Sequence, residues 1–166
     1  MENLIYMKGW KNPVTGFFLE KKTVFSLSIY NPVDYVLDGV MFMNNSFVLS
    51  AEMNLSELSS NVMSEKINRY VNQEKIKTIL ETSNFKELFS YLLKKDDFCE
   101  IALSQEDTVY IGRVRKVRNS SIDIDFYNTD FTLLDEAIIE FDDIRIVSVY
   151  TDYSETFCEF IKSINN

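Results

Sequence analysis

Histidine is absent from all 166 residues. That excludes Ser-His-Asp and Cys-His nucleophile activation, imidazole acid–base catalysis and histidine-ligated zinc. Cysteine occurs twice, at Cys99 and Cys158, too few for a disulfide framework and without partners at metal-ligand spacing. Cys99 sits in the apolar FCEIAL and Cys158 on the apolar side of an expected helix, so both read as reduced core residues. The four glycines, Gly9, Gly16, Gly39 and Gly112, form no phosphate-cradling loop. Serine and threonine are common, but no neighbouring base activates them. No catalytic residue, cofactor or metal is expected, and the chain reads as a non-enzyme. No apolar run approaches the roughly 20 residues that span a bilayer, and Met1 to Trp10 lacks the basic start and apolar stretch of an export signal. A cytoplasmic protein is the expectation.

What is present describes a folded chain with a real core: 46% hydrophobic and 26% charged residues. The net charge of −9 is unevenly spread. Met1 to Lys95 carries 10 acidic against 11 basic residues and Asp96 to Asn166 carries 16 against 6, so the nets are +1 and −10. Such a field repels phosphate backbones and attracts basic partners, so nucleic acid is disfavoured and a basic protein partner favoured. The alternative is that the acidity serves solubility alone.

Apolar periodicity divides the chain into three segments. Gly16 to Thr23, Val24 to Tyr30, Val36 to Met43 and Phe47 to Ala51 read as short strands, with Asn31-Pro32 breaking the run after Tyr30. The middle takes on helical spacing at Asn61 to Val71, at Ile76 to Leu80, and most clearly at Asn84 to Lys95. There Phe85, Leu88, Phe89, Leu92 and Leu93 share a face, Asn84 and Glu87 form a capping pair, and Lys94-Lys95 closes the helix. Strands return at Phe98 to Leu103, Val109 to Val117, Ile122 to Tyr127, Glu136 to Phe141 and Ile144 to Val149, before a short terminal helix over Tyr153 to Ile164. The organisation expected is therefore a first β unit over 1–53, a helical connector over 54–95, and a second β unit with a C-terminal helix over 96–166.

Two charged features stand out. The stripe GRVRKVR could meet RNA phosphates, but the hairpin turn at Asn119-Ser120 sets it against acids. A tight register places Lys116 opposite Asp123 and Val117 opposite Ile122, whereas a one-residue bulge brings Arg115 to Asp123 and Arg113 to Asp125. Either is ordinary cross-strand pairing, worth about 0.2 to 1 kcal/mol per pair. The cluster Asp135, Glu136, Glu140, Asp142 and Asp143 has no EF-hand spacing and reads as a solvated or partner-facing edge. Together with Asp123 and Asp125, these are the candidate partner-binding residues.

The two β segments also echo one another. With one extra residue in the second, Tyr30-Asn31 falls on Tyr127-Asn128, Leu37-Asp38 on Leu134-Asp135, and Val40-Met41-Phe42 on Ala137-Ile138-Ile139. Gly16-Phe17, Leu37-Asp38-Gly39, Ile111-Gly112-Arg113, Asp143-Ile144 and Tyr150 or Tyr153 resemble the marks of a family of bacterial proteins of unassigned function built from two Sm-like or SH3-like small barrels. Phe131-Thr132 stands where that family has Gly-Trp. The resemblance implies a mostly β (α+β) fold of two small barrels or curled antiparallel sheets, with intervening helices and a short C-terminal helix, and it carries across no catalytic residue. Two functions fit the whole: an acidic inhibitor or immunity-type protein covering a basic toxin or nuclease, and an Sm-like module that binds RNA or assembles into a ring.

Overall fold

The computed structural model describes residues 2–32, 36–53, 60–106 and 108–164. Among the described residues the fold is mostly β, with one antiparallel sheet and four helices. The first set of strands is β1 (Glu2–Met7), β2 (Val14–Lys21), β3 (Phe25–Tyr30), β4 (Val40–Asn44) and β5 (Val48–Met53). Three helices follow, α1 (Ser60–Val71), α2 (Glu74–Leu80) and α3 (Phe85–Lys95). The second set is β6 (Phe98–Ala102), β7 (Val109–Val117), β8 (Ser121–Tyr127), β9 (Leu133–Glu140) and β10 (Ile146–Val149), with a 3-10 turn at Phe141–Asp143 and a last helix, α4 (Asp152–Ile164). Residues 54–59 of the expected connector lie outside the described residues, as do 33–35 of the segment before β4 and Asp107 of the turn before β7.

Ten strands lie side by side in the order β5-β1-β2-β3-β4-β10-β6-β7-β8-β9. Each set of five has the same internal order, with its fifth strand returning beside its first, and the sets join where β4 pairs with β10. Equivalent register positions stand a constant 96 residues apart: Gly16 opposite Tyr30 matches Gly112 opposite Phe126, and Ile29 opposite Val40 matches Asp125 opposite Glu136. Both sets carry a bulge at the same place, between Phe18 and Glu20 and between Val114 and Lys116. The one-residue insertion expected in the second copy is therefore not what the registers give.

The two copies bury opposite faces of this sheet. Directly paired residues share a face, and one face carries Ile5 and Met7 of β1 with Met41 and Met43 of β4, packed with Trp10, Val14, Tyr30 and Val48. The other face carries the second copy's Ile101, Val114, Ile122, Ile124, Phe126, Val147 and Val149. On that second face the first copy shows Phe25, Leu27, Val40 and Phe42, which α2 and α3 cover with Ile76, Ile79, Phe85, Leu88, Phe89 and Leu92. The mirror situation holds for α4, whose Phe157, Cys158 and Ile161 cover Phe98 and Ile111. Both clusters run across the join between the two sets, with α2 and α3 covering one face of the sheet over the first set and α4 the other face over the second.

The clearest local expectation holds for the bounds, the cap and four of the five apolar residues, while Leu93 is exposed. Asn84 caps α3 by accepting the Glu87 amide at 3.0 Å, and the Glu87 carboxylate accepts the Ser83 amide at 2.8 Å. Other expectations shift: β1 was not anticipated, and the strand expected from Val36 begins only at Val40, after Gly39 turns the chain at φ 80°.

Candidate functional site

The expected acidic residues do not form one free patch. Lys116 faces Asp123 and Val117 faces Ile122, as in the tight register, while the bulge at Arg115 lies further on and sets Arg113 opposite Asp125. The bulge frees Arg115 to reach sideways, where its guanidinium pairs with Asp125 at 2.7 Å and Glu136 at 3.1 Å. Arg118 holds Asp123 through two contacts of 2.8 Å, and this pair keeps the Asp123 carboxyl below its ordinary range. Glu140 lies on the same sheet face as Asp123, Asp125 and Glu136, across from Ser121. Asp135 is exposed on β9 and accepts the Glu136 amide, and Asp142 and Asp143 are exposed on the 3-10 turn. Three of the seven candidates are therefore neutralised by arginines of the basic stripe itself. Among the described residues, no group of three or more acidic or cysteine side chains could hold a metal ion.

A different acidic place emerges at the join of the two copies. Met41 of β4, Ser148 of β10 and Glu100 of β6 are successive cross-strand partners, so they share one face. Over them lies a cavity of about 340 Å3 with an apolar floor from Val14, Met41, Ala102 and Ile146. Its aromatic walls are Trp10, Tyr30 and Tyr153, and its carboxylates are Asp38, Glu100 and Glu106. Both copies contribute, so neither alone makes it.

Each carboxylate is fixed by its own hydrogen bonds. Thr151 Oγ1 donates to Glu100, and the same threonine accepts the Ser154 amide at 3.0 Å where α4 begins. Asp38 accepts the Asp152 amide at 2.6 Å. Glu106 accepts the amides of Lys11 and Asn12, both at 2.7 Å, and so ties the β6–β7 loop to the loop that carries Trp10. The Arg145 guanidinium, bound to the Lys8 carbonyl, lies 5.9 Å from the Trp10 ring and 4.8 Å from the Phe47 ring, steadying that loop from its other side. Trp10 Nε1 is buried and has no hydrogen-bond partner.

At Asp38 and Glu100 the electrostatics are the reverse of those at the arginine-paired face, whereas the Lys11 and Asn12 amides hold Glu106 below its ordinary range. Burial pushes the Glu100 carboxyl above its ordinary value of 4.5, the Thr151 hydroxyl opposes this, and the Asp38 charge adds to it. Asp38 is raised as well, first by burial and then by the charges of Asp152 and Glu155, against the Asp152 amide. Tyr30 is raised by burial and by both carboxylates. Among the described residues no lysine or arginine forms an ion pair with Asp38 or Glu100. The Asp38 charge thus disturbs Glu100, and neither carboxylate is ion-paired among the described residues.

This disturbance is measurable as stability. A carboxyl whose folded pKa is raised binds its proton more readily when folded, so its contribution is greatest at low pH and is lost as pH rises from about 4.5 through the raised value. Glu100→Gln keeps the shape and removes the charge. The variant is expected to be more stable than the parent at pH 7, with the gain vanishing near pH 4. Urea midpoints at both pH values check this, and a gain equal at both would refute it.

Sequence reasoning missed Glu100, Asp38 and the aromatic walls. Glu100 had one visible signal, a lone carboxylate inside the apolar strand FCEIA. Asp38 had another, its place beside Gly39, but neither pointed to the other. No family model, curated protein or solved structure matches this chain. Among the described residues no helix is long and apolar enough to cross a membrane.

Proposed function

We propose that this protein is a non-enzymatic binding module for a basic protein partner, acting as an immunity-type inhibitor of a cationic toxin or nuclease. The observation that carries the reading is the anionic cavity at the join: half-buried Asp38 and Glu100, ion-paired to no lysine or arginine among the described residues and framed by aromatic rings, are suited to receive a cationic group. The net charge of −9 supports it by steering a basic partner inward. Two Sm-like or SH3-like barrels are the fold we attach to this reading, because each five-strand set has the same strand order, register and bulge position. A cytoplasmic location goes with it, consistent with two free, buried cysteines. The test is co-expression with the product of the adjacent gene. A stable complex and relief of that product's toxicity are expected; solitary purification beside a harmless neighbour would overturn the reading.

One observation favours the second reading, a ring-assembling module. The join pairs the fourth strand of one set with the fifth of the other, and the sheet ends on β5 and β9, a fifth and a fourth strand. Edges of this kind can pair head to tail between copies and so build rings or filaments. Sedimentation velocity over a wide concentration range decides it: assembly supports the ring, and a monomer throughout rejects it.

A further inference from the structure

We infer that the cavity at the join is a receptor for one guanidinium group on an alkyl stem, the side chain of an arginine presented by the partner. The inference rests on the binding-module reading above and names the group that the site takes.

Four features select this chemistry. The cavity, at about 340 Å3, lies at the small end for ligand sites and suits one side chain rather than a peptide segment. Its floor of Val14, Met41, Ala102 and Ile146 matches a methylene stem, which buries readily while its charged head seeks polar partners. Asp38 and Glu100 approach from different elements, one before β4 and one in β6, so together they can accept the several N–H donors of a planar fork. Trp10, Tyr30 and Tyr153 offer ring faces on which a weakly hydrated guanidinium stacks better than a compact ammonium.

The same features turn other occupants away. A hard divalent cation needs about six or more converging oxygens, and among the described residues no group of three or more acidic or cysteine side chains is placed to hold one. An anion meets three carboxylates. Free arginine would bring its own carboxylate towards Glu106, whereas an arginine within a chain carries no such charge. The half-buried Glu100 then has a purpose: the cost of holding its charge beside Asp38 is offset when a cation enters, so affinity is gained at the site's own expense in stability.

Trp10 is the only tryptophan of the chain, so its fluorescence reports on the cavity wall directly. The probe is N-acetyl-L-arginine N-methylamide, titrated into the full chain at pH 7. A saturable change with a midpoint of about 1–10 mM is expected for so small a ligand. The neutral citrulline analogue should bind at least tenfold more weakly, the lysine analogue more weakly than arginine, and free L-arginine more weakly than its blocked form. Glu100→Gln should lose at least tenfold, and Asp38→Asn provides a second variant if the first perturbs folding. Equal binding of the arginine and citrulline probes, or no saturation, overturns the inference. Agmatine or free arginine binding more tightly than the blocked amide overturns the chain-borne source and makes the ligand a free guanidine. The adjacent-gene product separates the two levels. If it binds parent and Glu100→Gln equally, the guanidinium site falls while the inhibitor reading stands; if the arginine probe saturates and no protein partner binds, the inhibitor reading falls while the site stands.

Discussion

Phe85→Ala is expected to remove about 3–5 kcal/mol of stability and to lower Tm by roughly 10 °C. Phe85 opens α3, is 2% exposed, and stands in the middle of a run of rings. Its ring centroid lies 5.5 Å from Phe25 of the first copy, 6.2 Å from Phe89 one turn along the helix, and 6.1 Å from Phe141 of the second copy's 3-10 turn. Phe25 in turn meets Phe42 edge-on at 5.1 Å. Truncation opens a void bordered by both copies, and neither can close it alone because the lining rings are held by three separate elements, β3, α3 and the 3-10 turn. Phe85→Leu keeps much of the volume and should lose under half as much. Because the ring bridges the copies, thermal and urea unfolding of Phe85→Ala should remain a single transition with an earlier midpoint. A loss below about 1 kcal/mol would show that the helix is a removable cover rather than part of the core.

The α3 helix was legible because its evidence is local: five apolar residues on one stripe, a capping pair and two terminal lysines lie within 12 residues. The repeated strand order was legible only in outline. Apolar positions of β3 and β8 match at a spacing of 97, Phe25, Leu27 and Ile29 against Ile122, Ile124 and Phe126, whereas the registers match at 96. In β8 the apolar residues stand at the register positions where β3 has the buried Ser26 and Ser28; in β3 Phe25 and Leu27 instead meet α2 and α3 and Ile29 meets α1, from the alternate positions. An alignment that follows hydrophobicity must therefore slip by one residue, since neighbouring strand residues point to opposite faces. The swap is invisible without knowing that helices cover the first copy from outside.

The site was less legible still. The acidic half directed attention to β8 and β9, where charge is dense, but dense charge of both signs at cross-strand spacing neutralises itself, as Arg115 and Arg118 do for Asp123, Asp125 and Glu136. The cavity instead joins Asp38 to Glu100 through the β4–β10–β6 pairing, which brings together residues 62 apart in sequence that no motif connects. Spacing along the chain finds sites built on one element. This one is built on the seam between two.

That seam has a single most sensitive backbone position. Gly39→Ala is expected to cost about 3 kcal/mol or more, while Gly9→Ala, at the same φ of 80°, should cost only about 1–2 kcal/mol. Both glycines occupy the left-handed region, so both substitutions incur that strain. Only Gly39 lacks room: a Cβ there would lie 2.5 Å from the Val149 carbonyl oxygen and 2.8 Å from the Thr151 amide nitrogen, backbone atoms at the end of β10 that cannot turn aside. A Cβ at Gly9 would meet only the tip of Arg145, at 3.5 Å. The Gly39 amide also donates to the Tyr70 hydroxyl at 2.9 Å, and its carbonyl accepts the Tyr30 amide at 3.2 Å, so displacement disturbs α1 and β3 together. Relief of the clash requires β4 and β10 to separate where Val40 faces Val149. The difference between the two variants in urea unfolding thus isolates steric contact from backbone strain. In the Gly39 variant, hydrogen exchange should quicken first at the amides of Val40 to Met43 and Ile146 to Val149, and the Trp10 response to the arginine probe should weaken with it, since Asp38 and Glu100 are held in register by that pairing. Equal losses in the two glycine variants would mean that the seam yields freely and that its tight packing has no part in shaping the cavity.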